Sequence, residues 1–254
     1  MDGQSSKHGF IKSMKDQDIY LEPVAEHKYT IIWMHGLGDS ANGFLSFFYS
    51  ANPVVPNNVN FLIILLLVQN TKVILLNAPF APVTINGGEK MNSWYDILSL
   101  GKDKRVDENT IQKSTTRVLR VLKEEVKKLN EDPSKVFIGG FSQGCCMALN
   151  VALSYENIIG GVVGLSGLVF QHMLDIIEND NENTFLDKKK NLKIFAYHGK
   201  DDQVIQEGNA LKTYERLRNS GFEKLTYIAE EFLEHSVSPT EVNKIKEFLS
   251  QVMV

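Results

Sequence analysis

Short, unbroken apolar runs recur down the chain, and each ends in a small or turn-forming group. Tyr29-Thr30-Ile31-Ile32-Trp33-Met34 runs into His35-Gly36. Val73–Leu76 runs into Asn77-Ala78-Pro79, Val136–Ile138 into Gly139-Gly140, and Gly161–Leu165 into Ser166-Gly167. Leu192–Tyr197 runs into His198-Gly199, and Leu225–Ile228 into Ala229-Glu230. Runs of this length, without strict alternation, predict parallel strands buried on both faces. Between them the period changes. Thr110 to Leu129 carries Ile111, Val118, Leu122, Val126 and Leu129 mostly three or four apart, which predicts a helix ended by Asn130 and Pro133. Further helices are expected over Gly144–Tyr155 and Gly208–Asn219, and from Ser238-Pro239-Thr240-Glu241 onward.

Strands alternating with helices predict an α/β fold, a mostly parallel sheet covered on both faces. No repeat or composition break divides the chain, so one domain is expected over 28–254, preceded by a polar extension over 1–27. Met1 to Lys15 has no apolar core of a secretory signal and reads as a solvated tail. The stretch from Glu178 to Asn191, with Lys188-Lys189-Lys190, reads as a solvated loop. Phe61–Val68 is an apolar run of eight residues, far short of the ~18–20 that span a bilayer.

Composition narrows the function. The 254 residues are 43% hydrophobic and 23% charged, a globular balance, and the net charge of −4 gives no basic face for nucleic acid. Two adjacent cysteines, Cys145 and Cys146, make neither a disulfide framework nor a zinc site, and accord with a reducing, cytoplasmic setting. Small thiols at the start of a helix are expected to pack rather than react.

In a parallel sheet, ligands bind outside the C-terminal ends of the strands. There Gly140-Phe141-Ser142-Gln143-Gly144 fits G-x-S-x-G between a strand and a helix, the setting of a nucleophile elbow. A serine needs a base, and His235 follows the last strand. The base needs an orienting acid, and Asp201 and Asp202 follow the strand before it. The order serine, aspartate, histidine is that of α/β-hydrolases. His172 breaks this order, whereas His35 and His198, each in His-Gly at a strand end, are expected to shape turns. His35-Gly36-Leu37-Gly38-Asp39 is a glycine-rich loop suited to an oxyanion donor, with Leu37 and Gln143 N–H groups as the expected pair.

These motifs, with Ser93-Trp94-Tyr95-Asp96-Ile97 and Leu165-Ser166, resemble the acyl-protein thioesterases of the phospholipase/carboxylesterase family. The likeness runs from about Tyr29 to Leu249. It implies an α/β-hydrolase fold, Ser142 as nucleophile, His235 as base and Asp202, not Asp201, as acid. Trp94 and Leu168 are expected to bind substrate. The implied substrates are S-acylated proteins, with acyl oxyesters and lysophospholipids as the alternative, and transient membrane-surface contact is expected. No metal or cofactor is expected, and the oligomeric state stays open. The chain departs from the family where Gly167-Leu168-Val169 stands in place of an expected tryptophan, in its longer N-terminal extension, which lacks a cysteine, and in an apparent insertion over Asn58–Gln69. Three readings of that insertion stay open: a flap near the site, a packed segment, or a wrongly joined stretch of reading frame.

Overall fold

The computed structural model describes residues 10–48, 69–100, 105–182 and 184–253. The elements in chain order begin with strands β1 (Phe10–Lys15), β2 (Asp18–Pro23) and β3 (Tyr29–Met34) and the short helix α1 (Leu45–Phe48). Strands β4 (Thr71–Leu76), β5 (Phe80–Val83), β6 (Glu89–Asn92), β7 (Ile97–Ser99) and β8 (Arg105–Val106) follow. Helix α2 (Glu108–Lys128), β9 (Val136–Phe141), α3 (Gln143–Ser154), β10 (Gly161–Leu165), α4 (Gln171–Glu178) and α5 (Thr184–Lys189) come next. Strand β11 (Ile194–Gly199), α6 (Glu207–Asn219), β12 (Leu225–Glu230) and α7 (Pro239–Val252) complete the chain.

Eight strands form the main sheet in the order β1-β2-β4-β3-β9-β10-β11-β12. From β4 to β12 every pair is parallel. The six apolar runs are therefore the six parallel strands, and the α/β fold class is as expected. Each strand sends alternate residues to opposite faces. Ile32, Met34, Ile74 and Leu76 enter the core shared with α2, α3, α4 and α6. Ile31, Trp33, Val73 and Leu75 enter the second core, with Ile245 and Met253 at the end of the chain. Burial on both faces is why the inner five, β3, β4, β9, β10 and β11, read as apolar runs; the edge strand β12 is only partly buried.

Two expectations are corrected. The tail expected over 1–15 and the extension over 1–27 are structured from residue 10 on, residues 1–9 lying outside the described residues: β1 and β2 form a hairpin that joins β4 antiparallel and extends the sheet. Ile19 and Leu21 are buried by it, whereas β1 beyond Phe10 is exposed, so its polar pattern resembles a solvated segment. The stretch 178–191 is not a plain loop either, since it holds α5 and Lys189 is buried. The Phe61–Val68 run and positions 58–68 of the expected insertion lie outside the described residues. Among the described residues no helix is long and apolar enough to cross a membrane.

Candidate active site

The turn from β9 into α3 carries Ser142 at φ 55° and ψ −118°, a left-handed backbone that a serine adopts only under tertiary constraint. The constraint is close packing. A Cβ at Gly140 would lie 2.5 Å from the carbonyl of Gly144, and one at Gly144 would lie 2.2 Å from the Met34 oxygen. Only glycine lets the elbow sit this close to β3. The Ser142 N–H donates to the Leu165 carbonyl at 2.8 Å and fixes the turn to β10.

The β11 and β12 loops bring the other two groups to it. Ser142 Oγ lies 2.9 Å from His235 Nε2, and His235 Nδ1 lies 2.6 Å from Asp202 Oδ2. Asp202 accepts only, so Nδ1 carries the proton and Nε2 faces the serine as the basic nitrogen. The Asp201 N–H donates to the Leu233 carbonyl at 3.0 Å, and the Lys200 N–H to the Glu230 carbonyl at 2.9 Å. These bonds lock the acid-bearing loop to the base-bearing one. Asp202 Oδ1 accepts the N–H groups of Val204 and Ile205, both at 2.8 Å. Burial pushes its carboxyl up, but hydrogen bonds from His198 and His235 and from the Ile205 N–H outweigh burial and hold it well below the usual carboxylate range.

His198 does more than the turn-shaping expected of it. It does shape its turn, with Nε2 2.7 Å from the Ile205 carbonyl, but the same nitrogen lies 3.2 Å from Asp202 Oδ2. Both neighbours accept, so Nε2 carries the proton. His198 is the penultimate residue of β11 and Asp202 lies four residues on in the loop that follows, so the contact depends on how that loop turns back on the strand. His35 stays structural: its Nε2 accepts the Ala78 N–H at 3.0 Å, its Nδ1 donates to the Gly36 carbonyl at 2.6 Å, and burial lowers its pKa.

The expected oxyanion donors sit at the start of α3 and in the glycine-rich loop. Gln143 is the first residue of α3, where N–H groups have no intrahelical partner. Neither the Leu37 nor the Gln143 N–H donates to a backbone carbonyl among the described residues. The Gln143 side chain is a brace. Its Oε1 accepts the Trp94 N–H at 2.7 Å, and its Nε2 donates to the Tyr95 carbonyl at 2.8 Å. Trp94 Nε1 in turn donates to the His35 carbonyl at 2.9 Å. At 1% exposed, Trp94 is a strut between the elbow helix and the glycine-rich loop and presents almost no surface to a substrate. Leu168 is half-buried against the larger core. Cys145 is fully buried beside Tyr214, and burial pushes its thiol well up, so it packs and does not attack.

A strained serine on a strand-to-helix turn, a histidine within hydrogen-bond reach and a buried carboxylate behind it define a serine hydrolase of the α/β-hydrolase class. Residues 17–253 match the phospholipase/carboxylesterase family, and the chain belongs to that family. It is 32% identical over 235 residues to acyl-protein thioesterase 1 of Emericella nidulans, covering 90% of this chain and 92% of the relative. It is 29% identical to acyl-protein thioesterase 1 homolog 1 of Dictyostelium discoideum, covering 96% and 99%. The crystal structure of Arabidopsis thaliana SOBER1 superposes with a TM-score of 0.73 at 27% identity, covering 89% of this chain and 99% of that one. The Zea mays acyl-protein thioesterase 2 structure shares the fold at a TM-score of 0.76 and 24% identity, covering 93% and 99%.

Proposed function

We propose that this enzyme hydrolyses long-chain acyl thioesters on protein cysteines through an acyl-enzyme on Ser142. The observation that carries the reading is the chain of contacts at 2.9 and 2.6 Å from Ser142 to His235 to Asp202. The names of the thioesterase relatives support the substrate class. Ser142 Oγ attacks the acyl carbonyl as His235 Nε2 takes its proton. The oxyanion accepts the N–H groups of Leu37 and Gln143. His235 then hands the proton to the departing cysteine sulfur as the C–S bond breaks. Water, deprotonated by His235, releases the fatty acid and restores Ser142. Asp202 stabilises the charged imidazole at both stages.

Ser142→Ala should lower kcat by on the order of 10⁶ and abolish labelling by a serine-reactive phosphonate. Near-normal turnover in that variant sinks the mechanism. Labelling of Ser142 with kcat/KM higher on oxyesters than on thioesters of matched chain length assigns the enzyme to carboxylesterase or lysophospholipase work. Absence of labelling in the folded wild type makes it an acyl-binding protein instead.

The proposed location is the cytoplasm, which the unpaired Cys145 and Cys146 support. Transient contact with a membrane surface is part of the proposal. Phe80, Val204 and Phe232 are 70%, 67% and 89% exposed, on segments that follow the C-terminal ends of β4, β11 and β12. Vesicle cosedimentation that does not change on Phe232→Ser would remove Phe232 from that contact.

A further inference from the structure

A cavity of about 370 Å³ opens beside the triad, lined by Phe44, Phe47 and Phe141, by residues 235–237, and by Asp39 and Ser46. Neither oxyanion donor lines it. Its side of the reaction follows from proton transfer. The proton that His235 Nε2 takes from Ser142 goes to the departing atom, so the leaving group stands against the His235 ring. A cavity walled by His235 and the two residues after it holds what leaves, not the acyl group that stays on Ser142.

Its chemistry is mixed. Phe141 packs on the His235 ring at 4.8 Å between centroids, and Phe44 on Phe141 at 6.0 Å. Asp39 is fixed at its backbone, its N–H donating to the Gly36 carbonyl at 3.2 Å and its carbonyl accepting Asn92 Nδ2 at 2.7 Å. Its carboxylate lies over Gly43, where a Cβ would come within 2.2 Å of Oδ1. Among the described residues this carboxylate has no ion-pair or hydrogen-bond partner. An alkyl chain in the cavity would strip water from that charge and give nothing back. A long cationic side chain lays its methylenes on the phenylalanine rings and its charge against Asp39.

Resting on the thioesterase reading, we infer that this cavity is a leaving-group subsite, and that it selects a lysine or arginine next to the acylated cysteine. The test uses peptides with one acyl-cysteine flanked by Lys, Gln or Glu, and a small-thiol thioester of the same acyl group to normalise them. Wild-type kcat/KM should favour the Lys peptide over the Gln peptide on the order of tenfold, less at high salt. Asp39→Asn should bring that ratio close to one. Ser46→Arg, a change at an exposed rim position, should do the same by placing a cation in the cavity. Non-hydrolysable S-alkyl peptides binding to Ser142→Ala read the same preference as a Kd ratio, without turnover. Equal Kd values for the Lys and Gln peptides overturn the subsite. So does an Asp39→Asn variant that lowers every substrate equally, or a preference that follows acyl length instead of the flanking residue. A Lys preference in Kd with no thioester turnover in the wild type overturns the thioesterase reading and leaves the cation subsite standing.

Discussion

At Asp202 one carboxylate serves two histidines and two backbone N–H groups. Asn has nearly the same shape but no charge, so Asp202→Asn keeps the fold and loses both the tautomer of His235 and the stabilisation of its charged form. kcat should fall about 10⁴-fold. Asp201→Asn should fall little, because only the Asp201 backbone is tied to the base-bearing loop. The reverse ranking would reassign the acid. The depressed pKa also sets a sign for stability. Asp202 contributes above the unfolded carboxylate value of about 3.9, and that contribution is lost as pH falls through its lower folded value. The acid unfolding limb of Asp202→Asn should therefore be shallower below about pH 4, measured by denaturant midpoints across pH. The three triad residues are legible in the sequence because each follows a strand and their order is characteristic. The second contact of His198, the brace from Gln143 and the burial of Trp94 are not legible. The partners of Gln143 and Trp94 stand tens of residues away, and the His198 contact depends on the turn of the loop that carries Asp202.

Helix ends and strand edges decide what a sequence reveals at the next scale. The inner parallel strands are legible because both faces are buried and most positions are apolar, whereas the edge strand β12 is only partly buried. Strands β5 to β8 are short and half-exposed, and their pattern does not separate from loop. Lys189 shows the opposite failure. Three lysines in a row suggest solvent, yet Lys189 Nζ reaches under α3 and donates to the carbonyls of Ala152, Tyr155 and Asn157. The amine satisfies the free end of the elbow helix, and burial lowers its pKa to about 8. Lys189→Met leaves those carbonyls unpaired, and should cost about 1–3 kcal/mol with kcat nearly kept. Glu241 closes the start of α7 in a capping box with Ser238, which stands three residues after His235. It is fully buried, and burial pushes its carboxyl up to about 8. The unfolded chain ionises near 4.5, so this group costs stability progressively from about pH 4.5 to 8. Gln keeps the box without the titration. Glu241→Gln should match wild type near pH 4 and exceed it on the order of 3 kcal/mol at pH 8. Thermal midpoints at the two pH values check this, and an equal gap at both would place the effect in packing.

Across the whole molecule, the N-terminal hairpin is wired to the active-site framework through one side chain. Arg117, on α2, donates through Nη2 to both Asp18 oxygens at 2.8 and 2.9 Å and through Nη1 to the Asn77 carbonyl at 2.6 Å. The Asn77 N–H donates to Asp18 Oδ1 at 2.8 Å, and Asn77 Oδ1 accepts the Ala41 N–H at 2.7 Å. The guanidinium also faces the Trp94 ring at 5.9 Å. One cation thus ties β2, the loop after β4, the segment after the glycine-rich loop and the Trp94 strut. Without the hairpin, β4 becomes the edge of the sheet and shows unpaired backbone beside a row of apolar side chains. Deleting residues 1–24 should therefore give an aggregating protein. Arg117→Met removes the wiring and keeps the strands. It leaves Asp18, which is 5% exposed, as a buried carboxylate without its cation, and should destabilise the fold by about 3–5 kcal/mol. Arg117→Lys keeps the charge but not the two-pronged contact, and should fall between wild type and Arg117→Met. Hydrogen exchange then separates a global loss from a local one. Faster exchange confined to β1 and β2, with phosphonate labelling of Ser142 unchanged, would show that the arginine holds only the hairpin. Wiring through to the active-site framework requires faster exchange at Asn77–Ala78 as well, and slower labelling of Ser142.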